Sequence, residues 1–101
     1  MNRNAIIIGS LSMDLKRVAL GYYRGSENMA RRFTEEAIKR KEEIKISEVK
    51  PYLKKFINSL PKVLNQEDKQ KLAEDALTYS VIFQNYTTTQ FPDPPALIPG
   101  N

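Results

Sequence analysis

Leu11, Leu15, Val18, Tyr22, Gly25 and Met29 follow one another at alternating steps of four and three residues, and the same phase continues through Phe33 and Ala37 towards Ile44. Such spacing places these positions along one stripe of an α-helix and does not suit a half-buried strand, whose period is two. The phase predicts one long helix over 11–44, capped by Ser10 or Ser12 and kinked near Gly21 and Gly25. Each of those glycines costs about 1 kcal/mol relative to alanine inside a helix. The competing solution is a break at Gly25, with Ser26 capping a new helix and Glu27 at the positive end of its dipole.

A second stripe runs through Val49, Leu53, Phe56, Leu60 and Val63, widened by Tyr52, Ile57 and Leu64. Ser47 is the expected cap, and Pro51 lies close enough to the start that its missing N–H costs little. Pro61 is expected to end or kink this helix near Ser59. Asn65, followed by Gln66, Glu67 and Asp68, reads as the start of a third element with the stripe Leu72, Ala76, Tyr79, Phe83 and Tyr86. The run Thr87, Thr88 and Thr89 weakens it, and Pro92, Pro94, Pro95 and Pro99 stop it from resuming.

The expected fold is therefore all-α: a small antiparallel bundle of three to four helices with short connections and an extended, Pro-rich C-terminal tail. The division is an N-terminal arm over 1–10, the bundle over 11–90 and the tail over 91–101. Ile6, Ile7 and Ile8 fall in the arm and are too short a run for a secretory signal. A helix over 11–44 would overhang the others and leave part of its stripe uncovered, which points to a homodimer.

The chain has no histidine and no cysteine. It therefore lacks the side chains most used for proton transfer near neutral pH, for thiol chemistry and for transition-metal ligation. No glycine-rich phosphate loop or nucleophile elbow is present. Glu35 with Glu36, Glu42 with Glu43 and Glu74 with Asp75 are paired carboxylates, but they sit among basic neighbours, so no metal or other cofactor is expected. No run reaches the roughly 18 apolar residues of a membrane span, and the expected location is the cytoplasm.

The net charge of +4 is unevenly spread. Basic residues dominate over 15–62, whereas 63–101 sets only Lys69 and Lys71 against Glu67, Asp68, Glu74, Asp75 and Asp93. Glu35 stands four residues before Lys39, and Glu36 four before Arg40, the orientation that favours surface ion pairs. Tyr23, Arg24, Arg31, Arg32, Lys39 and Arg40 are the side chains expected to face a partner. The expected function is a non-catalytic protein–protein interaction or regulatory module that self-associates; the alternative is a nucleic-acid-associated regulator using the basic segment 31–55.

Overall fold

The computed structural model describes residues 3–90, and within them the chain forms four α-helices and one 3-10 turn. Helix α1 spans Arg3–Tyr23, α2 spans Glu27–Glu43, the turn spans Ile46–Glu48, α3 spans Pro51–Leu64 and α4 spans Lys69–Gln90. The expected Pro-rich tail over 91–101 lies outside the described residues.

The N-terminal arm is instead the first part of α1. Asn4, Ala5, Ile7 and Ile8 are buried, because the stripe of Leu11 and Leu15 extends backwards in phase through Ile8 and Asn4. Neither Ser10 nor Ser12 caps the helix. Ser12 is buried, and its hydroxyl donates to the Ser80 carbonyl of α4 at 2.8 Å.

The long first helix does not form either. Gly25 has φ +74, a left-handed conformation that other residues adopt only at a cost. The Ser26 N–H donates back to Gly21 O at 2.7 Å, and the Ser26 hydroxyl accepts from Met29 N at 3.3 Å. The chain reverses there, and α2 returns antiparallel along α1. Gly21 lets the two helices meet: a Cβ at this position would lie 2.7 Å from the Ala30 nitrogen.

Three further boundaries differ from the sequence expectation. Ser47 lies in the 3-10 turn, and Lys50 occupies the N-cap of α3, with Pro51 at the first helical position. Pro61 stays inside α3. An interior proline costs about 3 kcal/mol, but it precedes the helix end by one turn and keeps Leu60 and Leu64 in line with Leu53 and Ile57, all four buried. Asn65 closes α3 by donating to Pro61 O, and Asp68 starts α4 by accepting from Lys71 N at 3.0 Å. The threonine run remains helical, with its hydroxyls donating to the carbonyls of Gln84 and Tyr86.

Helix α1 is central, packed against α2 on one side and α4 on the other, while α3 contacts α4 and α2. Ile8, Leu11, Leu15 and Val18 from α1 meet Leu53, Ile57, Leu60, Leu72 and Phe83 in one core. Along the α3–α4 seam, Phe56 and Phe83 each meet Tyr79 edge-on, with centroids 5.3 and 6.2 Å apart, and the Tyr79 hydroxyl lies 2.9 Å from that of Ser59. The turn between these helices is clipped by Asp75, which accepts from Gln66 Nε2 at 2.9 Å and Lys71 Nζ at 3.0 Å. The Gln66 bond is the main reason that the Asp75 carboxyl sits below the usual carboxylate range.

Asn4 ties the α2–α3 connection to the start of α1. Its Nδ2 donates to Lys45 O at 2.9 Å, and its Oδ1 accepts from Lys45 N at 3.0 Å. Because Asn4 is only 3% exposed, truncation removes both bonds where water has little access. Asn4→Ala is expected to lower unfolding stability by about 2 kcal/mol in a urea titration. A loss below about 0.5 kcal/mol would show that the connection is held in place by other contacts.

Candidate functional site

Three surfaces combine exposure with usable chemistry. The first lies at the end of the bundle where α1 turns into α2 and α4 begins. An open cleft of ≈ 450 Å³ there is lined by Tyr22, Tyr23, Glu27 and Lys69 among others, and a neighbouring one of ≈ 260 Å³ shares Tyr22 and Lys69 and adds Arg31. Glu27 also lines both, and Lys69 Nζ lies 5.9 Å from the Tyr22 ring centroid. Tyr23, 54% exposed, projects away from the core because it follows Tyr22 by about 100° around α1.

The structure brings only some of the expected partner residues to this end. Tyr23 and Arg24 sit at the turn, and Arg31 borders the smaller cleft. Arg32 is exposed on α2, with its guanidinium 5.6 Å from the Phe33 centroid. Lys39 lies about 12 Å further along α2 than Arg31 and pairs with Glu36 at 3.7 Å. Arg40 is not a free surface cation: its Nε lies 3.5 Å from Asp14 Oδ2, and Arg17 meets the other oxygen of Asp14 at 3.5 Å. The Asp14 side chain is only 6% exposed. Burial raises its pKa above the usual carboxylate range, against the pull of Arg40 and Arg17. Nothing in the spacing marks Asp14 beyond its being a lone acid at the edge of the apolar stripe.

The second surface is cationic. On the exposed side of α2, Arg31, Arg32 and Lys39 are interleaved with Glu35, Glu42 and Glu43, so the field there is close to neutral. Helix α3 has no acidic residue. Its Lys54, Lys55 and Lys62, with Lys50 at its cap, make no ion pair among the described residues. The positive surface of the segment 31–55 therefore resides chiefly in its α3 part and extends to Lys62.

The third surface is apolar and was not anticipated. Ile6 and Met13 on α1, and Leu77 and Val81 on α4, are large apolar side chains 49%, 51%, 37% and 49% exposed. Ile6, Met13 and Leu20 are seven apart and lie on the side of α1 opposite Leu11 and Leu15. The spacing was visible in the sequence but was masked by the stronger core stripe. No helix among the described residues is long and apolar enough to cross a membrane. No family model matches the chain, and no curated protein or solved structure matches it.

Proposed function

We propose that this chain is a non-catalytic interaction module that associates with a second copy of itself through the outer face of α1 and α4. The observation that carries the proposal is the coincidence of Ile6, Met13, Leu77 and Val81 on adjacent helices, each more than a third exposed. Isolated exposed apolar residues are ordinary, whereas several on one rigid two-helix face are a feature of interfaces. The overhang of a long first helix no longer supports dimerisation, since the chain folds back at Gly25; the outer face supplies an independent reason. At the bundle end, Tyr23 offers an aromatic anchor with Arg24 and Arg31 nearby, a setting suited to a segment of a further protein.

Light scattering coupled to size exclusion, run across dilution, tests the self-association. The expected result is a dimer mass at tens of micromolar that falls towards the monomer on dilution and persists at raised salt, because apolar burial supplies most of the association. A monomer mass throughout the range excludes it.

The unpaired lysines of α3 favour a second reading, binding of nucleic acid through Lys50, Lys54, Lys55 and Lys62. Such binding would weaken steeply as salt rises, because each phosphate contact releases counterions. Absence of binding to both DNA and RNA at low salt removes this reading.

A further inference from the structure

We propose that the outer face of α3 binds the phosphate backbone of duplex DNA, an assignment that rests on the nucleic-acid reading above and adds which nucleic acid is held and by which side of the helix. The buried residues of α3, Leu53, Ile57, Leu60 and Leu64, fall within about 60° of its circumference. The helix therefore sits on the bundle as a ridge, anchored by a narrow apolar stripe. Opposite that stripe are Lys55, Asn58 and Lys62, all exposed and within about 60° of one another. Lys54 flanks them, turned about 100° from Lys55, and Lys50 is exposed at the N-cap. No acidic residue occurs over 49–66, and none of these four lysines makes an ion pair among the described residues. A rigid stretch of about 18 Å from Lys50 to Lys62 thus presents cations that nothing on the same helix neutralises.

The side chains on this ridge select among polyanions. A membrane-surface helix presents large apolar side chains beside its lysines, whereas Leu53, Ile57, Leu60 and Leu64 are buried in the core. Single strands are held largely by stacking of bases on exposed aromatic rings. Tyr52 is the one aromatic residue of α3 that is more than a third exposed, and Phe56 is packed edge-on against Tyr79. A duplex needs no stacking platform. Lysine ammonium groups and asparagine amides both contact phosphate oxygens, and Asn58 stands between Lys55 and Lys62 on the leading edge. A helix about 10–12 Å across also fits the major groove of B-form DNA, about 12 Å wide, and is kept out of the deep, narrow major groove of A-form RNA. Helix α2 lacks such a face, because Arg31, Arg32 and Lys39 are interleaved there with glutamates.

Fluorescence anisotropy with the full chain tests the assignment, using as probes a short labelled DNA duplex, an RNA duplex and a DNA single strand of the same length, and polyglutamate. With four phosphate contacts, affinity for the DNA duplex is expected to fall about 100-fold between about 50 and 200 mM salt. At low salt it is expected to exceed affinity for each other probe by about fivefold or more. The K55Q/K62Q variant is expected to bind the duplex about tenfold more weakly and to lose about half of the salt slope. The charge-matched variant R32Q/K39Q, altered on α2, is expected to stay within about threefold of the wild type. Urea unfolding confirms that each variant is folded. If the RNA duplex or the single strand binds as tightly as the DNA duplex, duplex DNA is overturned as the ligand while the nucleic-acid reading stands. Equal weakening by the two variants overturns α3 as the binding face. Polyglutamate bound as tightly as the duplex overturns the assignment in favour of an acidic protein, and absence of binding to every nucleic acid at low salt overturns the nucleic-acid reading itself.

Discussion

Gly21→Ala is expected to lower unfolding stability by about 2–3 kcal/mol, whereas Gly9→Ala, in the same helix, is expected to raise it by up to about 1 kcal/mol. Alanine favours helix over glycine by about 1 kcal/mol at an unobstructed site, so helix propensity alone predicts a gain at both positions. Packing reverses the sign at Gly21. An added Cβ would lie 2.7 Å from the nitrogen, 2.9 Å from Cα and 3.0 Å from Cβ of Ala30, atoms that cannot move without shifting α2 as a whole. That shift is resisted at both ends of the pair, by the Gly25–Ser26 reversal and by the bonds between Asn4 and Lys45. At Gly9, the nearest neighbour is a threonine methyl group at 3.6 Å, an ordinary contact. Urea unfolding of the two variants checks the contrast. Stabilisation of both would show that α1 and α2 do not approach as closely as the structure places them.

The same close approach explains how much of the fold was legible. Helical class and the three apolar stripes followed from spacing, since burial periodicity reports which side chains face a core. Periodicity does not report chain direction. A helix that reverses through Arg24, Gly25 and Ser26 and presents its apolar side to the same core keeps its phase, so continuity through Met29 and Phe33 carried no information against a break. The local signs, a glycine followed by a capping serine, were the better guide. At Pro61 and Asn65 the balance ran the other way. Local rules ended or started helices there, but burial of Leu60 and Leu64 carried α3 past the proline, and Asp68, three residues after Asn65, supplied the cap for α4.

The candidate surfaces were only partly visible because charge runs do not disclose their partners. Arg31, Arg32, Lys39 and Arg40 form one basic stretch in sequence, yet the fold sends Arg40 inward to Asp14 on another helix and balances the outer row with glutamates. The exposed apolar face of α1 and α4 arises only once α4 lies beside α1, a long-range pairing for which neither helix carries a local signal. Tyr23, by contrast, is exposed, in keeping with its 100° offset from the core stripe.

Arg40→Met is expected to cost about 2 kcal/mol at pH 7, with the loss shrinking as the pH falls, and Asp14→Asn is expected to rescue most of it. Methionine keeps the apolar stem of the arginine and removes its charge, leaving the buried carboxylate of Asp14 with Arg17 alone. The charged groups around Asp14 are Arg17 on its own helix and Arg40 and Glu36 on α2; the arginines lower its pKa and Glu36 raises it, but burial is the largest influence and the net direction is upward. A carboxyl whose pKa is higher in the folded state binds its proton more tightly there than in the unfolded chain. Between the two values the folded protein holds more protons, so this group's contribution is fully present below the unfolded pKa and is lost as pH rises through the folded one. Removing Arg40 raises the folded pKa further and deepens that loss at neutral pH, while in acid the protonated carboxyl has little need of the guanidinium. The arginine itself, 40% exposed along its side chain, can turn to water when Asp14 becomes asparagine. Asp14→Asn alone is therefore expected to stay within about 1 kcal/mol of the wild type and to flatten the pH dependence. Urea unfolding of the wild type, both single variants and the double variant between pH 4 and pH 7 measures all of these differences. A penalty for Arg40→Met that is unchanged by pH, or a double variant as unstable as Arg40→Met, would show that Arg40 holds α2 by packing and not by answering the charge of Asp14.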